Sequence, residues 1–580
     1  MNEVMMRDPF LREIVQNALM GIAEEAGIFG ARSAYSPFVN QSSEIAIALF
    51  DRDARLIAHS GSGTMHVAAL HSMLPEVLKD NPPETLKDGD AIICNDHFRG
   101  GIHPTDVGVF RPIFSQGAPL FYYGAMMIVS DLGGVSTGGL PANATECFHE
   151  GLMIPPVKLY EAGEPSPAVH RMIQANSRTP QRVMGDIRAL VAGGGMAETR
   201  LLELVEKYGY DEVSVIIEEL LNYSERLTRQ AIERMPDGVY RGSYVVEEDG
   251  IDPGKTYTVV ATVTIDGSRC KLDFTGTDPQ ARGAINSSCS QSISGAVFTL
   301  RCFLDVYVPM NEGFYRPLEL VLPLGTLVNP KYPAACNIRL ATVQAMVESI
   351  DQALAPAFPQ KAMAASGSPH VYTVSGRYPD TNQMWSMLDL QFAPMGGRAD
   401  RDGVDALSHP VLGFPGYWGS IESYEWQYPV LYRRFRFIPD SAGAGKWRGG
   451  CGLIKEIKFL TDAELTVRAV DRCKLPPQGV EGGKAGTGGG WILNPGRADA
   501  EELPLKKTNV HVHEGDTLVM LVSGGGGFGD PLARDPRLVA ADVRAGIVTP
   551  EVAARDYGVI IDNAGAVDAA ATARLRDKNK

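Results

Sequence analysis

The stretch DAIICNDHFRGGIHPTD, residues 90–106, runs from an apolar strand into a loop crowded with ionisable groups. Ala91 to Cys94 is the short apolar run of a buried strand. Beyond it, two carboxylates and two imidazoles (Asp96, His97, His103 and Asp106) fall within eleven residues, with Arg99 and the pair Gly100–Gly101 between them. A second stretch, FYYGAMMIVSD at 121–131, repeats the pattern: a strand-like apolar run, a terminal Asp131, then a glycine-rich loop. If the two runs are neighbours in one sheet, Asp96 and Asp131 emerge side by side at its edge, where a rigid scaffold holds catalytic loops.

Two readings of the 94–106 loop stay open. In the first, glycines 100 and 101 let the backbone fold back so that His103 and Asp106 return toward Asp96. That makes a mixed oxygen and nitrogen donor set suited to zinc or manganese, and Arg99 becomes a clamp for a carboxylate or phosphoryl group. In the second, the loop is a polar surface turn that Asp96 caps, His97 and His103 are turn residues, and Asp106 starts the next strand. The HxxD spacing has none of the specificity of HExxH, so it does not choose between them.

Outward from this loop the chain reads as α+β, multi-domain, with mixed sheets, packed helices and a strand-rich C-terminal half. The division expected is an N-terminal α/β region at 1–175 carrying the site, a helical segment at 176–236, a strand-rich region at 237–530 and a helical tail at 531–580. Asp8 and Pro9 open a helix whose apolar spacing runs from Leu11 to Ile22 and on to Gly27; it should pack on a sheet. EIAIALFD (44–51) alternates like a half-buried strand and turns through DRDA into RLIAHS, a hairpin.

The 580-residue chain is 44% hydrophobic and 21% charged, the profile of a globular protein of two or three domains. A net charge of −15 and the lack of a dense basic face exclude nucleic acid as the expected partner. No apolar run approaches the ~18–20 residues that cross a bilayer, and MNEVMMRDPF lacks a signal-peptide layout, so the expected location is cytoplasmic. The eight cysteines show no CxxC, which argues against a thiolate zinc site and a disulfide framework; only Cys94 adjoins the polar loop. The glycine patches at 482–490 and 523–530 lack the GK[ST] of a Walker loop and read as tight turns. His66 and His71 fall on different faces of a helix; they read as structural residues, with an approach of one of them to the site as the alternative. His511 and His513 alternate on a strand and read as surface residues.

Seven blocks in order carry a resemblance: SAYSPFVNQSSEIAIALFD (33–51), CNDHFRGGIHPTD (94–106), SDLGGVSTGGLPA (130–142), FHEGLMIPP (148–156), LDFTGTDPQARGAIN (272–286), PDSAGAGKWRGGCG (439–452) and the segment 523–559. Together they resemble the hydantoinase B/oxoprolinase family over essentially the whole chain. The resemblance implies the B-type subunit of an ATP-dependent hetero-oligomer. In it, a hydantoinase A-type ATPase subunit consumes ATP to phosphorylate a cyclic amide, and water on a divalent metal (Zn or Mn) of the B-type subunit attacks the activated carbon. Related ketone carboxylases use bicarbonate instead.

Carried over by position, the resemblance makes Glu44, His103, Asp106 and Asp131 metal ligands. Asp96 matches the Asp of a family turn, and Glu150 of the FHEGL block is either a group that orients a ligand or a cap or turn residue; with Arg99, the clamp read from the loop, these are the catalytic candidates. Two departures stand out. Ile128 occupies the place of a family histidine three residues before Asp131, so His97 is the candidate replacement imidazole, and Ser42–Ser43 replace paired arginines. Three functions follow: a cyclic amide hydrolase subunit, a ketone carboxylase subunit, or a catalytically silent structural subunit.

Overall fold

The computed structural model describes residues 9–36, 39–40, 44–61, 64–304, 307–407, 409 and 420–578, and it is α+β. Asp8 and the Ser42–Ser43 pair lie outside the described residues. The first layer is built on seven strands: β1 (Ile45–Asp51), β2 (Leu56–Gly61), β3 (Ala91–Cys94), β4 (Asp106–Ser115), β5 (Ala118–Ile128), β6 (Val157–Glu161) and β7 (Glu164–Pro165). Their order in the sheet is β2-β1-β5-β4-β3-β6-β7. The hairpin of β1 and β2 forms as expected, antiparallel through the turn after Asp51.

Strand β1 is buried along its whole length, not on one face only. Its alternation is large against small. Ile45, Ile47 and Leu49 join the core under helix α1 (Pro9–Ser33), whereas Ala46, Ala48 and Phe50 face helix α2 (Thr64–Asp80). Both faces of the sheet are therefore covered. Helix α1 buries Val15, Leu19, Ile22, Ala23 and Ala26, as its periodicity predicts, and extends one and a half turns beyond Gly27. After the short α3 (Pro167–Ala175), the helical segment resolves into α4 (Pro180–Tyr208) and α5 (Tyr210–Glu233). Gly209, at φ 81°, makes the joint between them.

The two Asp-ended runs are not neighbours: β4 lies between β3 and β5. Because both are antiparallel to β4, their ends and the start of β4 still share one edge of the sheet. Asp106 pairs directly with Ile128, and Ile45 of β1 with Met127. One step further along β1, Glu44 comes level with Ile128. The register thus lays Glu44, Ile128 and Asp106 in a row across three adjacent strands, on one face.

The second layer is a sheet of β8 (Gly238–Val246), β9 (Tyr257–Asp266), β10 (Arg269–Asp273) and β11 (Leu318–Val321). Among the described residues, four helices lie within the stretch that reads as strand-rich: α6 (Cys289–Phe303), the one-turn α7 (Glu312–Tyr315), α8 (Leu340–Leu354) and the short α9 (Ile421–Gln427). Helices α6 and α8 are buried nearly all round, so neither shows the amphipathic stripe by which a surface helix is recognised. Helix α6 packs on α2, and α8 packs on β8 and β9.

The remaining strands are β12 (His370–Arg377), β13 (Met384–Gln391), β14 (Val430–Phe437), β15 (Leu453–Phe459), β16 (Ala463–Ala469), β17 (Gly490–Leu493), β18 (Glu501–Leu503), β19 (Lys506–Val512) and β20 (Thr517–Val522). They form two sheets, β13-β12-β16-β19 and β14-β15-β20-β17-β18, around one shared core. The glycine patches cross one another here as close-packed backbone. A Cβ on Gly524 would sit 1.9 Å from the Ser441 carbonyl oxygen, and one on Gly527 2.2 Å from that of Ala444. Their N–H groups are spent on neighbouring carbonyls, Gly526 on Ala365 and Gly527 on Lys484. They are packing devices, where the sequence suggests tight turns.

Helix α8 can approach β8 because position 242 has no side chain: a Cβ there would lie 2.1 Å from the Ser349 carbonyl oxygen. Gly242→Ala should force strand and helix apart and cost about 1–3 kcal/mol of stability, visible as a lowered denaturant midpoint at unchanged m-value.

Candidate functional site

The row at the sheet edge opens onto a narrow cavity of about 60 Å³ where all three layers meet. Glu44, His103 and Ile128 line it from the first layer, and Asn337 and Arg339 from the head of α8. Arg468 of β16 and apolar side chains of the β12–β13 region, including Leu388, Leu390 and Phe392, close it from the third. Polar groups gather at one end; the opposite wall is aliphatic and aromatic.

Asp106 organises the polar end. It is 1% exposed, and its two oxygens face different partners. His66 Nε2 lies 3.3 Å from Oδ1, His103 Nε2 lies 3.0 Å from Oδ2, and the Arg339 guanidinium stands 3.5 Å from Oδ2. Burial would raise this carboxyl, but the imidazoles outweigh it and hold it well below the usual range, so it is ionised. His103 is pushed down to about 4 by burial and then by Arg339, which leaves it a neutral imidazole at physiological pH. Its other nitrogen is fixed by Thr105 Oγ1 at 2.8 Å, a hydroxyl able to donate or accept.

Glu44 has the opposite character. Burial first, and the nearby Asp106 next, raise its carboxyl well above the normal value. Its Oε2 is buried with no hydrogen-bond partner among the described residues. Two arginines face this acidic group. Arg468 is lowered to about 9 by burial and by Arg339, and its Nε also lacks a partner among the described residues. The site therefore contains both an unanswered acceptor and an unanswered donor.

Glu150 stands behind the cavity rather than in its lining. Its Oε1 accepts from Cys336 N (2.8 Å), Asn337 N (2.7 Å) and Asn337 Nδ2 (2.9 Å). Asn337 Oδ1 in turn accepts from Arg468 Nη1 at 2.7 Å. This relay ties the loop after β5 to the head of α8 and to β16. Burial pushes Glu150 up to about 7 against those hydrogen bonds.

The other anticipated residues are placed elsewhere. Asp131 is fully buried and spends Oδ1 on Gly133 N and Arg178 N, and Oδ2 on Gly138 N and the Arg178 guanidinium. It braces its own loop onto the start of α4. Asp96 caps a 3₁₀ turn at His97–Arg99 by accepting from Phe98 N, as the turn reading has it. Arg99 turns outward to Asp80. His97 is buried against Phe98, with Nε2 3.4 Å from the Ala334 carbonyl oxygen. His71 pairs with Glu312 at 2.8 Å, so of the two helix histidines it is His66 that reaches the site.

Arg339, Arg468 and Asn337 were not among the sequence candidates. The signal available for Arg339 is an arginine just ahead of the otherwise apolar first turn of α8; Arg468, in the alternating strand AELTVRA, offers none. The donor set Glu44, His103 and Asp106 suits a divalent cation by its chemistry, and the unpartnered Glu44 Oε2 is the acceptor such an ion would use. Their ligand atoms are not gathered within 4.8 Å of one another; Arg339 answers Asp106, and Ile128 stands between Glu44 and Asp106 in the row.

The hydantoinase B/oxoprolinase family model matches residues 8–531. A protein of Pseudomonas sp. (strain NS671), provisionally named as the B subunit of a D-/L-hydantoinase, is 32% identical over 98% of both chains. The β subunit of the caprolactamase of Pseudomonas jessenii is 31% identical over 97% of this chain and 98% of its own. The acetophenone carboxylase delta subunit of Aromatoleum aromaticum is 27% identical over 92% and 83%. Among solved structures, the ATP-dependent caprolactamase of P. jessenii superposes with a TM-score of 0.90 at 30% identity, covering 99% of this chain and all of that one. An acetone carboxylase chain shares the fold at a TM-score of 0.86, with 22% identity over 99% and 83%. Block order, full-length identity and superposition agree: the chain belongs to the hydantoinase B/oxoprolinase family.

Proposed function

We propose that this chain is the B-type subunit of an ATP-dependent cyclic amide hydrolase, working on a substrate that a hydantoinase A-type ATPase subunit has phosphorylated. The observation that carries this reading is the two-ended cavity. Its apolar wall fits the methylene side of a ring, and Arg339 and Arg468 point charge at the end where anionic oxygen would lie. A guanidinium whose Nε is buried and unpaired gains most from an oxyanion or phosphoryl oxygen. Asn337, held by Glu150, keeps Arg468 aimed. The full-length hydantoinase and caprolactamase relatives favour the hydrolase.

Glu44, His103 and Asp106 would hold a divalent cation of the zinc or manganese class, with His66 orienting Asp106 from the far side. Such an ion, when bound, supplies Lewis acidity and lowers the pKa of water. His103 would turn an Nε2 lone pair to the ion with Thr105 Oγ1 accepting from Nδ1, and the Glu44 carboxyl, raised by burial and then by Asp106, would give up its proton on binding it. A second reading, a ketone carboxylase subunit, is supported by the acetophenone carboxylase relative and would require bicarbonate and ketone together.

Reconstituted with its ATPase partner, the protein should consume ATP in the presence of hydantoins, 5-oxoproline or lactams and open the ring. Turnover only with ketone and bicarbonate would select the second reading, and silence on every substrate would remove both. Arg468→Met should cut kcat/KM on the active substrate by about 10²-fold or more. Metal analysis of the purified wild type should find a bound divalent ion, with one equivalent lost in Glu44→Gln and held more tightly in Ile128→His, which restores a fourth ligand. A wild type free of metal would leave only a structural subunit.

The raised Glu150 pKa also sets a pH dependence. Between its ordinary 4.5 and about 7 the folded state binds the extra proton, so its contribution to stability is present below pH 4.5 and is lost as pH climbs through 7. Glu150→Gln keeps the accepting oxygen without the charge. Its Tm relative to wild type should therefore rise between pH 5 and pH 8; a pH-independent difference would contradict the assignment.

A further inference from the structure

Far from this cavity, at the other end of β16, the register of an edge pair builds a second constellation. Strand β19 lies at the border of its sheet and pairs antiparallel with β16, Glu464 opposite His511 and Ala463 opposite Val512. One step on, His513 comes level with Asp462. Period-two alternation then puts His511, His513, Glu464 and Asp462 on the same face, as two cross-strand pairs of imidazole against carboxylate.

The side chains follow the register. His511 Nδ1 lies 3.1 Å from Glu464 Oε1, and His513 Nδ1 lies 3.7 Å from Asp462 Oδ1. The two imidazoles stand 4.6 Å apart, centroid to centroid, at 83°. Asp462 is oriented by the Glu514 N–H, which donates to its Oδ1 at 3.0 Å. One ligand-type atom each from Asp462, His511 and His513 falls within 4.8 Å of the others, the only such trio among the described residues. All four side chains are at least half exposed, so an ion would enter without any rearrangement of the core.

We infer that Asp462, His511 and His513 form a second divalent-metal site, of the zinc class, independent of the cavity described above. Two imidazoles with one carboxylate make a three-donor set that leaves further positions for water. Glu464 is the orienting residue: by holding His511 through Nδ1 it fixes the ring and leaves Nε2 to the ion, the carboxylate–imidazole–metal arrangement. Hard cations, which prefer an all-oxygen shell, are a poor match. The ion would staple the edge strand β19 to the turn before β16, and it exists as a site only when that pairing is formed.

The test is a Zn²⁺ titration of the full chain, stripped with chelator, against a competing metal indicator. Wild type should bind one equivalent more than a His511→Ala/His513→Ala double variant, and Glu44→Gln should retain that equivalent, which separates this site from the buried one. Glu464→Gln should weaken the same equivalent about tenfold. Zn²⁺ should raise the Tm of wild type more than that of the double variant, and Mg²⁺ should raise neither. Equal stoichiometry and affinity in wild type and the double variant would overturn the inference and leave the cluster as two cross-strand ion pairs.

Discussion

A carboxylate withdrawn from water has to be answered by charge or hydrogen bonds within reach, and Asp106 is answered from three directions at once. His66 comes from the first turn of α2, His103 from the loop before β4, and Arg339 from the head of α8. Sheet, helix and second layer are thereby locked to one atom pair. The cavity exists because these elements cannot separate without stranding a buried charge.

The same logic runs one step further out. Arg339 and Arg468 are two cations lowered in pKa by burial, Arg468 also by its neighbour Arg339, and the acidic groups around them only partly compensate. Glu150 and Asn337 hold this arrangement in place from behind, through hydrogen bonds that cross from the first layer to the second and third. Asp131, expected in the site itself, does comparable work nearby by spending its oxygens on its own loop and on Arg178. Gly138 of that loop, where a Cβ would lie 3.2 Å from Thr373 Cγ2, sits in the turn that packs on the β12–β13 pair.

Much of this was legible along the chain. Apolar runs ending in Asp marked the strands whose ends share one edge, and the seven blocks named the family. Reading β1 as half-buried failed because alternation of large against small apolar residues resembles alternation of apolar against polar. Helices α6 and α8 escaped because burial all round removes the stripe that betrays a helix. Asp96, Asp131 and Arg99 looked equivalent to His103 and Asp106 in the linear sequence; a side chain's direction at the end of a strand depends on loop geometry that spacing does not encode.

By itself, then, the sequence determined composition, most strands and helices of the first layer, the family and the presence of Glu44, His103 and Asp106 at or just before the starts of β1 and β4, since these follow from local periodicity and short motifs. Only the tertiary structure decided which charges meet. Arg339 lies 233 residues from Asp106, and Arg468 lies 131 residues from Asn337. No local pattern couples such positions. They are brought together by the close packing of three hydrophobic layers, and the buried charges at the junction make that packing specific.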